Sequence, residues 1–84
     1  MELLQLQYFA EIVKNATMLK AAEALHVSQS TLSVSIKKLE AELGFTLFYK
    51  QGRRLGLTEE GLMSYRGTLQ ILENLTKLVS ECRT

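Results

Sequence analysis

The 84 residues include no proline, one cysteine, one histidine and no apolar run long enough to span a bilayer. Each shortage removes a class of answers. Without proline nothing breaks a helix from within, which suits a mainly helical chain. Cys82 has no mate for an internal disulfide and no partner for a CxxC metal site. His26 has no acidic or cysteine neighbour to make it a general base, and the serines have no paired histidine. Metal, phosphate-loop and dinucleotide motifs are missing. The chain therefore reads as a non-enzyme that needs no cofactor. Met1-Glu2 does not open a signal peptide, so a reducing cytoplasm, away from membranes, is the expected setting.

Net charge is also scarce, at +1, so no global basic excess points to nucleic acid. The distribution says more. Between Ser28 and Thr58 lie Lys37, Lys38, Lys50, Arg53 and Arg54 against Glu40 and Glu42, a local excess of three positive charges. A hydrophobic content of 46% with 23% charged residues belongs to an ordinary globular domain, and the length allows one.

Leu3, Leu6, Phe9, Ala10 and Val13 recur at helical spacing and predict a first helix over residues 3–14. Thr17 is a good N-cap for a short second helix from Met18 to Leu25, whose Ala21, Ala22 and Ala24 admit a close neighbour. After the turn His26-Val27-Ser28, Ser28 caps a third helix from Gln29 to about Leu43, stopped by Gly44. Leu47 to Lys50 reads as a strand, Gln51-Gly52 as a turn and Leu55 to Leu57 as the returning strand. Thr58 then caps a last helix to about Cys82, with Glu59 and Glu60 suiting the dipole of its first turn. The order describes a mainly α fold, a winged helix-turn-helix with a three-helix core and a short β-hairpin wing, followed by a long helix.

The third helix carries the functional signal. At about 100° per residue, Ile36, Leu39 and Leu43 fall within roughly 40° of Leu32 and form one buried stripe. Ser30, Val34, Lys37 and Ala41 lie opposite, flanked by Ser33 and Lys38. Taken alone, that outward face suits a solvated helix as well as a DNA contact. The helix-turn before it and the basic hairpin after it favour DNA, since a recognition helix must bring small side chains against base edges in the major groove. Gln29, Ser30, Thr31, Ser33 and Val34 are then the candidate readers. Lys37 and Lys38 on the helix, with Lys50, Arg53 and Arg54 on the wing, are candidate phosphate or minor-groove contacts.

The string AAEALHVSQSTLSVSIKKLEAELGFTLFYKQGRRLGLTEEG resembles the N-terminal domain of LysR-type transcriptional regulators. The family pattern is met without a gap by Ala21, Ala22, Leu25, Ser28, Gln29, Leu32, Ser33, Ile36, Leu39, Glu40, Leu43, Gly44, Leu47, Phe48, Arg53, Leu57, Thr58 and Gly61. The resemblance implies base-reading roles for Gln29 and Ser33 and a minor-groove or backbone role for Arg53. Three positions depart from it. Ser30 stands where the family usually has proline, and Val34 and Lys50 where it commonly has arginine. Lys50 keeps the charge but loses the bidentate fork. Val34 cannot donate a hydrogen bond, and in a major groove it has thymine methyls to pack against.

The last helix shows two apolar seams. One runs through Leu62, Tyr65, Leu69, Leu72, Thr76 and Val79, the other through Thr68, Ile71, Leu75, Leu78 and Cys82. One can cover the domain's own body, and the second calls for a partner helix. In the family the corresponding helix pairs antiparallel with its mate. Residues 1–58 are thus expected to bind double-stranded DNA, and residues 59–84 to link and to form a homodimer through Leu62, Tyr65, Leu69, Leu72, Leu75, Leu78 and Val79. Any inducer would bind a domain absent from this chain. The rival expectation is a protein-interaction module of the same fold that dimerises without touching DNA.

Overall fold

The computed structural model describes residues 1–83; Thr84, the last position of the expected linking helix, lies outside the described residues. Helices α1 (Leu3–Asn15), α2 (Met18–Leu25) and α3 (Gln29–Leu43) are followed by strands β1 (Phe48–Gln51) and β2 (Arg54–Leu57) and by helix α4 (Glu59–Arg83). This is the expected winged helix-turn-helix with a long final helix.

Local chemistry starts and stops each helix. The Glu2 N–H donates to Gln5 Oε1 at 2.9 Å ahead of α1. Thr17 Oγ1 accepts from the Lys20 N–H at 3.1 Å, and Ser28 Oγ from the Thr31 N–H at 3.0 Å, so both expected N-caps are formed. Ala16, His26 and Gly44 end the three helices in the left-handed conformation.

The apolar stripes meet in a core of Phe9, Ile12, Ala21, Ala22, Leu32, Ile36, Leu39 and Leu47. Ala21 and Ala22 are the small side chains that let α2 lie close against α1 and α3. Phe48 and Tyr65 cap the cluster edge-on to Phe9, with ring centroids 5.5 and 6.1 Å away.

The hairpin differs from the sequence expectation by one residue. The first strand begins at Phe48 rather than Leu47, and the turn is Gly52-Arg53 rather than Gln51-Gly52, with Gln51 paired to Arg54. Gly52, at φ +65°, takes the first central position, where a tight hairpin turn requires positive φ. Leu47 stays outside the strand because only half of the next ladder pair, Leu47 with Thr58, forms: the carbonyl keeps its cross-strand bond while the N–H is diverted to Glu40. The Leu47 N–H donates to Glu40 Oε2 at 2.7 Å, and the Leu47 carbonyl accepts from the Thr58 N–H at 3.0 Å. Removing the carboxylate leaves the N–H of a fully buried residue without its acceptor. Glu40→Ala should therefore lower the unfolding free energy by about 2 kcal/mol in urea melts, with Glu40→Gln, which keeps an acceptor, losing less.

The wing is also tied to the helical body. The Leu55 N–H donates to the carbonyl of Ala16, in the α1–α2 turn, at 2.9 Å. That bond joins β2 to the start of the helix-turn-helix and fixes the hairpin beside α3. At the other end Thr58 caps α4, its Oγ1 accepting from the Gly61 N–H at 2.9 Å and donating to the Thr46 carbonyl at 2.7 Å.

Candidate nucleic-acid interface

The α3 stripe of Leu32, Ile36 and Leu39 is buried, and this fixes which face of the helix looks outward. Gln29, Ser30, Thr31, Val34, Lys37 and Lys38 are exposed on that face, and Ser33 is half-buried at its edge. Ser28 Oγ donates to Thr31 Oγ1 at 2.9 Å, so the first turn holds two of its hydroxyls in a defined arrangement.

The tie between Leu55 and Ala16 brings the wing alongside this face. Between them lies an open cleft with one wall made by Gln29, Ser30, Ser33, Val34 and Lys37 of α3. The opposite wall is Lys50, Gly52, Arg53 and Arg54. Eight of the ten candidate DNA contacts thus share one concave surface. Thr31 and Lys38 face the other way and line a second hollow with Gln5 and Tyr8 of α1, which Ser30 and Val34 also border. Met18 and Leu55 complete the first cleft. Sequence reasoning placed Met18 only as the start of a helix, since nothing local says that it will face the wing.

Four cations line the cleft, Lys50, Arg53 and Arg54 from the wing and Lys37 from α3, with Lys38 on the neighbouring flank. Among the described residues no ion pair engages any of the five. In Gln29, Ser30 and Ser33 the cleft also carries short or flexible hydrogen-bonding groups. The arrangement can hold a polyanion on both walls while the polar tips and the one apolar side chain of the α3 wall, Val34, meet what lies between. Among the described residues no cluster of His, Cys, Asp or Glu fit to hold a metal is present, and no helix is long and apolar enough to cross a membrane.

The seven candidate partner contacts on α4 separate into three groups. Tyr65 packs edge-on against Phe9 of its own domain, so this member of the expected partner seam is engaged internally. Leu72 and Leu75 are half-buried and border a hollow with Leu4 and Leu25. Leu62, Leu69, Leu78 and Val79 are exposed. Thr68, placed by sequence on the second seam, is buried and donates back to the Ser64 carbonyl at 2.8 Å. Gly61 and Thr68 are the buried positions of α4, so the line that meets the body is set by small residues, which helical periodicity of large apolar ones does not mark.

Residues 3–62 match the family model described as bacterial regulatory helix-turn-helix protein, lysR family. The HTH-type transcriptional regulator YcgK of Bacillus subtilis is 40% identical over 81 residues, covering 96% of this chain and 25% of the relative. BenM of Acinetobacter baylyi, also an HTH-type transcriptional regulator, is 38% identical over 80 residues, 95% of this chain and 26% of the relative. The chain thus spans about a quarter of the length of these curated relatives. Its fold superposes on the BenM DNA-binding domain in complex with catB site 1 DNA with a TM-score of 0.94 and 36% identity, covering 99% of this chain and 89% of that one. The CbnR DNA-binding domain in its DNA complex gives a TM-score of 0.92 at 34% identity, over 99% of this chain and 95% of that one. The chain belongs to the lysR family of bacterial regulatory helix-turn-helix proteins and has the fold of that family's DNA-binding domains.

Proposed function

We propose that this domain binds double-stranded operator DNA sequence-specifically, as the reading head of a transcriptional regulator, with α3 in the major groove and the wing on the adjacent backbone or minor groove. The observation that carries the reading is the cleft between α3 and the wing, where candidate base readers and four cations share one surface. Gln29, Ser30, Thr31, Ser33 and Val34 face the bases, and Lys37, Lys38, Lys50, Arg53 and Arg54 neutralise phosphates or enter the minor groove. Residues 1–58 form the reading unit. Residues 59–84 link it onward and pair with a second copy, for which Leu62, Leu69, Leu78 and Val79 supply exposed apolar surface and Leu72 and Leu75 adjoin it. Tyr65 supports that surface from inside the domain. A homodimer presents two α3 helices to a site of matching two-fold symmetry.

Selection of bound duplexes from random DNA, followed by affinity measurement on the recovered site and a scrambled one, tests the reading. The wild-type domain should recover a two-fold-related consensus. Arg53→Ala should weaken binding to both duplexes by a similar factor, because a backbone contact carries no sequence information. Gln29→Ala and Ser33→Ala should instead change which bases are recovered, at a cost of about 1–3 kcal/mol on the original site. If all three variants behave alike, the division into positioning and reading residues is wrong. If no duplex is recovered, the fold serves protein contact alone.

A further inference from the structure

We propose that Val34 is a specificity-determining residue of this domain, and that it reads the C5-methyl group of a thymine in each half-site. The inference deepens the DNA-binding reading and rests on it. Val34 is 52% exposed and stands clear of the core cluster, so packing within the domain does not account for it. A β-branched residue is also a weaker helix former than most alternatives at an exposed site.

Its position is specific. Val34 borders both the wing-side cleft and the hollow on the α1 side, so it forms the ridge between them. Lys37 lies on the first flank and Lys38 on the second, one turn further along the helix. The two ammonium groups are therefore placed to meet phosphates on opposite sides of a groove, with Val34 directed between them toward the base edges. Depth is matched as well. Ser30, one turn earlier, and Ser33, its neighbour, are as short as valine, so neither holds the helix away from the bases. A side chain that reaches bases by its methyl groups needs an apolar partner, and in the major groove of unmodified DNA that partner is the thymine methyl.

The test uses the duplex recovered by selection, with each thymine replaced in turn by deoxyuridine, which removes the methyl group and leaves every hydrogen-bonding edge intact. For the wild-type domain, one thymine per half-site should be sensitive. Its replacement should weaken binding about fourfold, and replacement in both half-sites about fifteenfold, the scale of burying one methyl group or two. Val34→Ala should abolish that sensitivity while leaving the response to salt unchanged, and Val34→Thr, which keeps one methyl group, should retain part of it. Uniform tolerance of deoxyuridine by the wild-type domain, or equal sensitivity in Val34→Ala, overturns the proposal while duplex binding itself stands. Failure to bind any duplex overturns the DNA-binding reading beneath it. Because Val34 is exposed, Val34→Thr should unfold near the wild-type temperature and Val34→Ala at or slightly above it, which separates loss of reading from loss of fold.

Discussion

Binding of the proposed dimer to its selected duplex should collapse as salt is raised, losing between about 10³- and 10⁵-fold in affinity from about 50 to 200 mM. The expectation follows from the five cations along the α3 face and the wing, which no ion pair engages among the described residues. Each one that neutralises a phosphate releases a condensed counterion, and the logarithm of the affinity falls with the logarithm of salt by about 0.9 per contact. If all five act in both protomers the slope approaches about −9, and each that stays in solvent reduces its steepness. Arg53→Ala, which deletes one cation per protomer, should flatten the slope by about 1.8. The net charge of the chain is +1, so general attraction between a basic protein and DNA cannot supply such a slope. It has to come from the local excess. A flat titration monitored by fluorescence anisotropy would remove the electrostatic half of the proposal and favour a module that binds protein.

The largest effect on stability should come from a single methyl group. A Cβ at Gly61 would lie 2.1 Å from the Leu47 carbonyl oxygen and 3.0 Å from its carbon, far inside van der Waals contact. The obstacle is backbone, and it has little room to yield. The Leu47 carbonyl accepts from the Thr58 N–H, and the Leu47 N–H is held by Glu40. The Leu47 side chain is fully buried. Gly61→Ala must therefore push α4 away from the domain or break the junction with the wing. Alanine ordinarily favours a helix by about 1 kcal/mol over glycine, so propensity alone predicts a small gain. Overpacking against fixed backbone should win, with a net loss of about 3 kcal/mol and a fall in melting temperature of about 12–24 °C. Thermal denaturation followed by circular dichroism would show it. Gly67→Ala on the same helix is the control, since a Cβ there meets nothing within 4 Å and should stabilise slightly. Equal behaviour of the two variants would mean that the α4–Leu47 contact is not the constraint described.

The helices and their limits were legible because their signals are local. Thr17, Ser28 and Thr58 accept from backbone N–H groups three residues on, and the stripe of Leu32, Ile36 and Leu39 repeats with the period of the helix that buries it. The outward face of α3 followed from the same period, as the complement of the buried one. Family membership was legible too, because an ungapped pattern of this length specifies more than any periodicity.

What escaped sequence reasoning depends on contacts between residues far apart in the chain. Glu40 looks like a solvated charge until Leu47 presents an N–H to it, and Leu47 looks like a full strand residue until that N–H is claimed. The wing's place beside α3 comes from the bond from Leu55 to Ala16 and the packing of Phe48, Leu55 and Leu57 on the core, and without these the eight cleft residues are two separate lists. Along α4, two apolar seams were evident, but their phase toward the body was not. Close approach is permitted at Gly61 and Thr68, where bulk is absent, and this turns Tyr65 inward while leaving Leu62, Leu69 and Leu78 outside. Periodicity encodes the existence of a buried face; which surface covers it is decided by the small residues and single hydrogen bonds that let two elements meet.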